Sequence, residues 1–441
     1  MKELSLNNTV KNMPVSATLG INERSNAMIK AGKKVYKLGL GQSPFPVAPP
    51  VVQALKDNAH QKDYLPVRGL KELRDAVAAY YGRTQSLSFT GDDVIIGPGS
   101  KELMFILQLV YEADLLLPSP SWVSYAPQAA LTGRKVCWLN TERDNKWLLT
   151  PDTLEAECAQ DPNRSRLLLL NYPNNPTGYS YSGKELEALA DTARRYGVII
   201  LSDEIYGEVN HDGSHVSIAK FYPEGTIVSG GLSKWCGAGG WRLGTFAVPA
   251  GLRKIADAMA VVASETFTSV SAPVQYAAVK AFTKDSEIED YLFHSRKVLK
   301  ALGTYCTDTL INSGAKLARP DGGFYLFPDF SPLKDRLSAR GIISSTDMCE
   351  KLLEETGVAA LAGSCFGRPA DELTLRLSYV DFDGGAAIEK SAQLGRDAVL
   401  GEYFLSERCR NTVEAIDAMG AWFRKYKKAG AYPAMNMRSG A

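Results

Sequence analysis

Histidine and paired cysteines are scarce in this chain. Its 441 residues include four histidines and seven cysteines, and no two cysteines form a CxxC pair. An odd, scattered set of cysteines in a chain this long is typical of reduced thiols, so we expect a cytoplasmic protein without disulfide bonds. With so few histidines, a histidine-based metal site is not expected.

An excess of one charge and long apolar runs are also missing. The 50 lysines and arginines nearly balance the 49 aspartates and glutamates. This balance argues against nucleic acid or a membrane surface as a partner. The longest apolar runs, such as residues 167–170, are far shorter than a membrane span, and the N-terminal residues lack the apolar core of a signal peptide. Hydrophobic residues still make up 45% of the chain, enough for a large core.

Strand-like and helix-like segments alternate through the middle of the chain. Continuous apolar strands separated by helices predict βαβ units, hence an α/β fold with a mostly parallel sheet covered on both faces. The predicted strands lie in 92–99, 166–171, 198–204 and 226–234, and the predicted helices in 100–113 and 182–197. In this architecture ligands bind beyond the carboxyl ends of the strands.

Polar residues follow three of these strands. "NYPNNPTG" comes after Leu170, "SDEIY" after Leu201 and "SGGLSK" after Val228. Each alone is explained by a turn, a helix cap or an exposed lysine. Because three such segments in succession would share one edge of the sheet, we interpret them together as a functional site.

The C-terminal part of the chain predicts a smaller α+β domain. We expect strands in 319–330 and 373–380, a helix in 345–357 and a final amphipathic helix in 412–428. Residues 384–411 show no clear pattern and are interpreted as a possible insertion. The predicted division is a large domain of residues 46–300 and a small domain formed by residues 1–45 and 301–441.

The residue types at these strand ends match one cofactor. A glycine-led helix start at 97–101 and Arg242 suit a phosphate. A buried Asp203 would hold a ring nitrogen protonated, and a deprotonated Lys234 would react with an aldehyde. Phosphate, pyridine nitrogen and aldehyde occur together in pyridoxal 5′-phosphate (PLP), so we predict a PLP site.

Eight motifs in order carry a family resemblance. The sequence resembles fold-type I PLP enzymes of the class I/II aminotransferase family, in the branch with prokaryotic-type aspartate and aromatic aminotransferases. The resemblance spans about residues 14–382. The motifs are "YLPVRGLKELRDAVAAYY" (64–81), "GPGSKELMF" (97–105), "PSWVSYAP" (120–127), "NYPNNPTG" (171–178), "SDEIYGEV" (202–209), "SKWCGAGGWRLG" (233–244), "GGFYLF" (322–327) and "LRLSY" (375–379).

The resemblance implies roles around the cofactor ring. Lys234 would bond covalently to the aldehyde and shuttle a proton between the substrate's Cα and the cofactor's C4′. Asp203 would pair with the ring nitrogen, and Trp122 would stack on the ring face. Asn175 and Tyr206 would bind the ring's phenolic oxygen. Lys234, Asp203 and Tyr206 are the predicted catalytic residues.

It also implies where the phosphate binds and where a second subunit contributes. The backbone amides of Ser100 and Lys101, together with Arg242, would hold the phosphate. Tyr64 would reach the phosphate from the partner subunit, which implies a homodimer. Relatives often carry a serine at the position of Gly231, so here Ser229 or Ser233 would have to replace that phosphate ligand.

The implied reaction is amino transfer between small molecules. Arg376 would bind the substrate α-carboxylate, with help from Asn175 and the backbone at Gly41. We expect an L-amino acid donor, aspartate or an aromatic amino acid, and a 2-oxo acid acceptor, 2-oxoglutarate, used in turn by ping-pong kinetics. Side-chain specificity is expected in loops around residues 15–20, 124 and 260–270.

Other reactions on the same scaffold remain open at this point. A carbon–sulfur β-lyase, a cyclopropane-carboxylate synthase or a decarboxylase would use the same lysine and ring. A non-catalytic effector-binding module is a further alternative, although such modules in transcription regulators carry an N-terminal DNA-binding domain.

Overall fold

A seven-stranded sheet lies at the centre of the protein. The computed structural model describes residues 4–11, 13 and 17–427. The strands of this sheet are β1 (Val94–Gly97), β2 (Asp114–Ser119), β3 (Val136–Asn140), β4 (Arg166–Asn171), β5 (Ile199–Asp203), β6 (Thr226–Gly231) and β7 (Gly244–Ala247). Their spatial order is β1-β7-β6-β5-β4-β2-β3, and only β7 runs antiparallel to its neighbours. The predicted α/β fold with a mostly parallel sheet is therefore confirmed.

Helices surround this sheet and continue to the end of the described chain. They are α1 (Asn8–Lys11), α2 (Ala17–Lys30), α3 (Pro49–Asp57), α4 (Lys71–Gln85), α5 (Ser100–Val110), α6 (Tyr125–Leu131), α7 (Pro151–Cys158), α8 (Gly183–Arg195), α9 (Arg253–Glu265), α10 (Ala272–Phe282), α11 (Ser286–Asn312), α12 (Lys334–Ser338), α13 (Ser345–Thr356), α14 (Gly384–Leu394), α15 (Glu402–Arg408) and α16 (Arg410–Arg424). None of the helices in the described part of the chain is both long and apolar enough to cross a membrane.

The leucine run of β4 shows why the sheet is buried on both faces. Leu167 and Leu169 belong to the hydrophobic cluster that contains residues of α5 and α9. Leu168 and Leu170 point the other way, into the cluster with residues of α7 and α8. Successive strand residues face opposite sides, so an uninterrupted apolar run requires helices on both sides.

Strand register brings the predicted strand ends into one row. Asn171 of β4 is the register partner of Asp203 of β5, and Asp203 is the partner of Ser229 of β6. These residues are the last or nearly the last of their strands. The polar segments that follow the three strands therefore begin at the same edge.

A second sheet lies in the C-terminal part. It has three short antiparallel strands, β8 (Tyr325–Leu326), β9 (Leu361–Ala362) and β10 (Leu375–Ser378), in the order β8-β10-β9. The predicted strand 319–330 was mostly wrong, since only two residues are in a strand. The backbone amides of Asp321 and Gly322 instead donate to the Gly178 carbonyl in the loop after β4.

Two helices occupy the segment in which the sequence showed no pattern. Residues 384–411 contain α14 and α15 and the start of α16, and the His294 ring of α11 hydrogen-bonds the Ser391 hydroxyl of α14 at 2.9 Å. The insertion interpretation stays a prediction. The predicted helix 345–357 is confirmed as α13, which ends at Thr356 and is followed by Gly357 with a left-handed φ of 74°.

The predicted final helix corresponds to α16, and residue 428 of that prediction lies outside the described residues. The predicted domain division stays a prediction; its boundary at 300/301 falls inside the continuous helix α11.

Candidate active site

One cavity collects the predicted site residues. It has a volume of about 600 Å³ and lies at the carboxyl ends of β4, β5 and β6. Every predicted catalytic, cofactor-binding and substrate-binding residue except Tyr64 lines it: Gly41, Ser100, Lys101, Trp122, Asn175, Asp203, Tyr206, Lys234, Arg242 and Arg376. The sequence-based grouping of these residues therefore corresponds to one place in the structure.

Asp203 is a buried carboxylate at the end of β5. The Tyr125 hydroxyl donates to its Oδ2 at 2.6 Å, and the Ser229 hydroxyl donates to its Oδ1 at 3.4 Å. Burial raises the pKa of Asp203 from 3.8 to about 6, although these hydrogen bonds act in the opposite direction. A carboxylate in such surroundings is stabilised by a cationic or proton-sharing ligand.

Lys234 projects into the same cavity from the segment after β6. Its Nζ donates to the Gly41 carbonyl oxygen at 2.7 Å and lies 5.6 Å from the centre of the Tyr206 ring. Desolvation, followed by the positive charge of Arg376, lowers the pKa of Lys234 from 10.5 to about 8. A substantial fraction of the amine is therefore neutral near pH 8, as a nucleophilic lysine requires.

Arg376 is an almost fully buried cation in the middle of β10, 2% exposed. Its Nη1 donates to Asn175 Oδ1 at 3.2 Å and its Nη2 to the Gly39 carbonyl at 2.5 Å, while Nε has no partner among the described residues. Desolvation lowers the pKa of Arg376, and no carboxylate of the described chain lies within salt-bridge distance. A buried guanidinium without an acidic partner fits an anionic ligand group.

The N-terminus of α5 faces the cavity beside Arg242. Gly99 precedes the helix with a φ of 94°, and Arg242 donates to the Pro98 carbonyl at 3.3 Å. A methyl group at Gly244 of β7 would overlap the Ser100 amide nitrogen. The glycine thus lets the strand and the helix start approach closely, and the exposed amides of the first turn suit a phosphate.

Trp122 of the cavity wall contacts one cation and one aromatic ring. Lys101 Nζ lies 5.1 Å from the centre of the Trp122 ring, and Trp122 makes an edge contact with Tyr125 at 5.2 Å. Desolvation and the nearby Arg242 lower the pKa of Lys101. The Lys101 side chain is therefore a further cation of the cavity, beside Lys234, Arg242 and Arg376.

Tyr64 is the predicted residue that the described chain does not bring to the cavity. Its side chain is 88% exposed and does not line the site. A contribution from a partner subunit stays a prediction.

The structure explains the glycine at position 231. Gly231 has a φ of 151°, and a side-chain Cβ there would lie 2.7 Å from the Leu243 carbonyl oxygen. A serine does not fit this backbone. Of the two expected replacements, Ser233 lines the cavity, whereas Ser229 binds Asp203.

Sequence reasoning missed several wall residues. Tyr125 binds Asp203, Tyr325 binds Tyr206, and the Asn171 amide donates to the Asp203 carbonyl at 2.8 Å. All three stand in motifs that the sequence displayed, but no spacing rule links them to their partners. Leu19 also lines the cavity. The specificity loop expected around 15–20 was wrong for residues 17–20, which begin helix α2, and residues 15 and 16 lie outside the described residues.

These residues fit the parts of PLP. The buried Asp203 suits a protonated ring nitrogen, Lys234 the aldehyde, and the α5 amides with Arg242 the phosphate. Arg376, whose Nε has no hydrogen-bond partner among the described residues, is not needed by any part of PLP and suits the carboxylate of a substrate.

Comparisons with known proteins agree with a PLP site formed by these residues. A family model described as aminotransferase class I and II matches residues 33–382. The chain is 32% identical over 388 residues to an asparagine–oxo-acid transaminase of Streptococcus mutans, covering 85% of this chain and 94% of that protein. It is also 32% identical to an aspartate aminotransferase of Geobacillus stearothermophilus, with the same coverage. The structure of an aspartate aminotransferase from Thermus thermophilus with maleate superposes with a TM-score of 0.79 at 28% identity, covering 89% of this chain and 99% of that one.

Proposed function

The chain belongs to the class I and II aminotransferase family of PLP-dependent enzymes, and we propose that it transfers the amino group of an L-amino acid to 2-oxoglutarate. Aspartate is the favoured donor and an aromatic amino acid the second. The two substrates would use the site in turn, in a ping-pong sequence.

The arrangement of Lys234, Asp203 and Arg376 around one cavity supports this proposal most strongly. A nucleophilic amine, a buried carboxylate and a buried guanidinium without an acidic partner are three different requirements of amino transfer. When bound, PLP supplies a sink for the electrons left at the substrate's α-carbon.

The chain's own residues would perform the remaining tasks. Asp203 would keep the ring nitrogen protonated, since its buried carboxylate is stabilised by a shared proton. Lys234 would remove the proton from the substrate's Cα and deliver one at the cofactor's C4′. Burial lowers the pKa of the Lys234 amine to about 8, close to neutral pH. A general base is most effective when its pKa lies near the working pH.

Substrate binding would rest on Arg376 and its neighbours. The guanidinium would hold the α-carboxylate as a fork, with the Asn175 side chain and the Gly41 backbone beside it. Lys101 supplies a further cation in the cavity, and no carboxylate of the described residues lies within salt-bridge distance of it. A donor with a second carboxylate would provide that partner, which favours aspartate over the aromatic amino acids.

The phosphate would bind at the start of α5. The Ser100 and Lys101 amides and Arg242 are the proposed ligands. Ser233, which lines the cavity, would replace the serine that relatives carry at the position of Gly231. Tyr64 would complete this part of the site from the partner subunit of a homodimer.

We also propose that the chain divides into a large domain of residues 46–300 and a small domain of residues 1–45 with 301–441, and that the protein is cytoplasmic.

A donor-by-acceptor screen tests the proposed reaction. The purified enzyme is mixed with single amino acids, and formation of the oxo acid and of the aminated cofactor is followed before and after 2-oxoglutarate is added. We expect one turnover per site without an acceptor, continuous turnover with it, and parallel initial-rate plots. Release of pyruvate and ammonia without an acceptor would instead identify a β-lyase.

Two variants assign the reaction to this cavity. Lys234→Ala should lose the absorbance of the lysine-bound cofactor and nearly all turnover, whereas Lys254→Ala, an exposed lysine of α9, should match the wild type. Binding of amino acids without any turnover in the wild type would favour the effector-binding alternative.

A further inference from the structure

Tyr325 contacts several residues of the active site, although no role was predicted for it from the sequence. It is 1% exposed, and its hydroxyl lies 2.8 Å from the Tyr206 hydroxyl. Its ring lies under the Arg376 guanidinium, 4.9 Å from the ring centre to the guanidinium carbon. A methyl group at Gly41, whose carbonyl accepts from Lys234, would overlap the Tyr325 hydroxyl. Tyr325 is therefore in contact with three parts of the proposed site.

The pair of hydroxyls has two possible directions. Either Tyr206 donates to Tyr325 or Tyr325 donates to Tyr206, and neither hydroxyl has another hydrogen-bond partner among the described residues. If Tyr206 donated to Tyr325, its only proton would point away from the cofactor position. Only the second direction leaves the Tyr206 proton free to point into the cavity.

We propose that Tyr325 is a positioning residue: its hydroxyl donates to the Tyr206 oxygen and thereby directs the Tyr206 proton to the cofactor's phenolic oxygen. This inference rests on the role proposed for Tyr206. A hydroxyl that accepts one hydrogen bond is a stronger donor in the next, because the two bonds polarise each other. Tyr325 would thus act on the cofactor through Tyr206.

The surroundings keep this pair in place. Tyr206, Phe324 and Tyr325 form an aromatic group with ring-centre distances of 4.8 to 5.6 Å. The charged groups that face it are Lys234, Asp203 and Arg376. Of these, the cation Arg376 packs directly on the Tyr325 ring and stabilises negative charge on either hydroxyl.

The test is the pH at which the absorbance of the lysine-bound cofactor changes. Stabilising the anionic phenolic oxygen lowers this midpoint, so Tyr325→Phe should raise it by about 0.3 to 1 pH unit, the effect of one neutral hydrogen bond. Tyr206→Phe should raise it by more. The double variant should equal Tyr206→Phe alone, because Tyr325 acts only through that residue.

A matched control separates positioning from stability. Tyr291→Phe removes another buried hydroxyl, which donates to the Pro46 carbonyl at 2.9 Å and does not line the cavity. Tyr291→Phe and Tyr325→Phe should lower the melting temperature to a similar extent, but of these two variants only Tyr325→Phe should shift the absorbance midpoint. The KM for the amino donor should stay within about twofold in Tyr325→Phe, because the ring under Arg376 remains.

The outcomes distinguish this inference from the role of Tyr206. A midpoint that moves in Tyr206→Phe but not in Tyr325→Phe overturns the positioning role and leaves that of Tyr206 intact. A midpoint that moves in neither variant overturns both. Additive shifts in the double variant, or a tenfold rise in KM in Tyr325→Phe, also contradict the proposal, since the hydroxyl would then act without Tyr206.

Discussion

Asp203 illustrates how a single buried group links binding to stability. Its carboxylate is 3% exposed and receives hydrogen bonds from neutral hydroxyls. The positive charge of Lys234 lowers its pKa by less than burial raises it. Without the cofactor, the buried ionised carboxylate therefore lowers the stability of the folded protein. A protonated ring nitrogen beside it would offset this destabilisation.

The protein freed of cofactor should become more stable in Asp203→Asn at neutral pH. The folded-state pKa is raised from 3.8 to about 6, so the native state binds the proton more tightly than the unfolded state. The stabilisation by this proton is complete below pH 4 and is lost as the pH rises to 6, by about 3 kcal/mol. Urea unfolding at pH 4 and pH 7.5 measures it.

Asp63→Asn, an exposed aspartate with an 87% exposed side chain, is the control and should show no such gain. A gain of equal size at both pH values in Asp203→Asn would contradict the explanation, because ionisation would then not be its cause.

The Lys101 side chain should make the enzyme prefer aspartate over aromatic amino acids as the amino donor. Lys101→Gln removes the cation but retains the backbone amide at the start of α5. We expect kcat/KM for aspartate to fall about 10- to 100-fold, the effect of one charge-assisted hydrogen bond, and kcat/KM for phenylalanine to change less than about twofold. Steady-state kinetics with both donors measures this, with the exposed Lys184→Gln of α8 as control. An equal loss for both donors would assign Lys101 to the cofactor instead.

At the scale of elements, close approach of β7 to the start of α5 shapes the phosphate position. Gly244 pairs with Gly97 on one side and Gly231 on the other, so three glycines lie side by side across β1, β7 and β6. A side chain at Gly244 would overlap the Ser100 amide of α5, one at Gly97 would overlap the Leu103 side chain of α5, and one at Gly231 would meet the Leu243 carbonyl. A neighbouring backbone thus requires glycine at positions 244 and 231, and the packing of α5 requires it at position 97.

Gly244→Ala should displace the first turn of α5. Its methyl group would overlap the Ser100 amide nitrogen, which is backbone and cannot move aside alone. We expect about 1 to 3 kcal/mol lower stability and at least a tenfold higher Kd for PLP, measured by thermal unfolding and by titration of the cofactor-free protein. Gly251→Ala, whose methyl would lie 3.9 Å from the nearest atom, is the control. An unchanged Kd would show that α5 does not hold the phosphate.

At the scale of the whole molecule, the active site joins the two sheets. Arg376 of β10 in the second sheet binds Asn175, which follows β4 of the first. Outside the active-site cavity, Arg143 pairs with Asp329 at 2.6 Å, and Arg368 donates to the Ser119 carbonyl of β2 at 3.1 Å. The relative position of the two sheets therefore sets the distance between the carboxylate site and the ring site.

Hybrid dimers test the contribution of Tyr64 across subunits. Lys234→Ala and Tyr64→Phe chains with different tags are coexpressed, and dimers carrying both tags are isolated. In such a dimer the site with Lys234 receives Tyr64 from the other chain, so one site of two is intact and about half of the wild-type activity should return. Activity no higher than the mean of the two parent variants would mean that Tyr64 acts within its own chain.

Much of the fold and of the site followed from local patterns. Apolar runs such as residues 166–171 predicted buried strands, and the parallel arrangement then placed the segments around Asn175, Asp203 and Lys234 at one edge. The strand predicted over 319–330 was mostly wrong: the amides of Asp321 and Gly322 bond to the loop after β4, the Asp329 and Phe330 amides bond to the Lys316 and Leu373 carbonyls, and only Tyr325–Leu326 form a strand. An apolar pattern reports burial and does not report which backbone is the hydrogen-bond partner.

From the order of residues alone, the sheet and its active edge with Asn175, Asp203 and Lys234 could be inferred, because strand periodicity and strand-end chemistry are local properties. Other cavity residues, such as Gly41, Trp122 and Arg376, were predicted from the family resemblance. The partners of the functional groups could not be inferred: Tyr125 lies 78 positions from Asp203, Tyr325 lies 119 from Tyr206, and Asn175 lies 201 from Arg376. No periodicity links such distant positions. The Tyr325–Tyr206 and Arg376–Asn175 contacts arise when the two sheets pack together, whereas the Tyr125–Asp203 contact arises when α6 packs on the first sheet. These contacts affect the pKa values and proton directions on which the proposed chemistry depends.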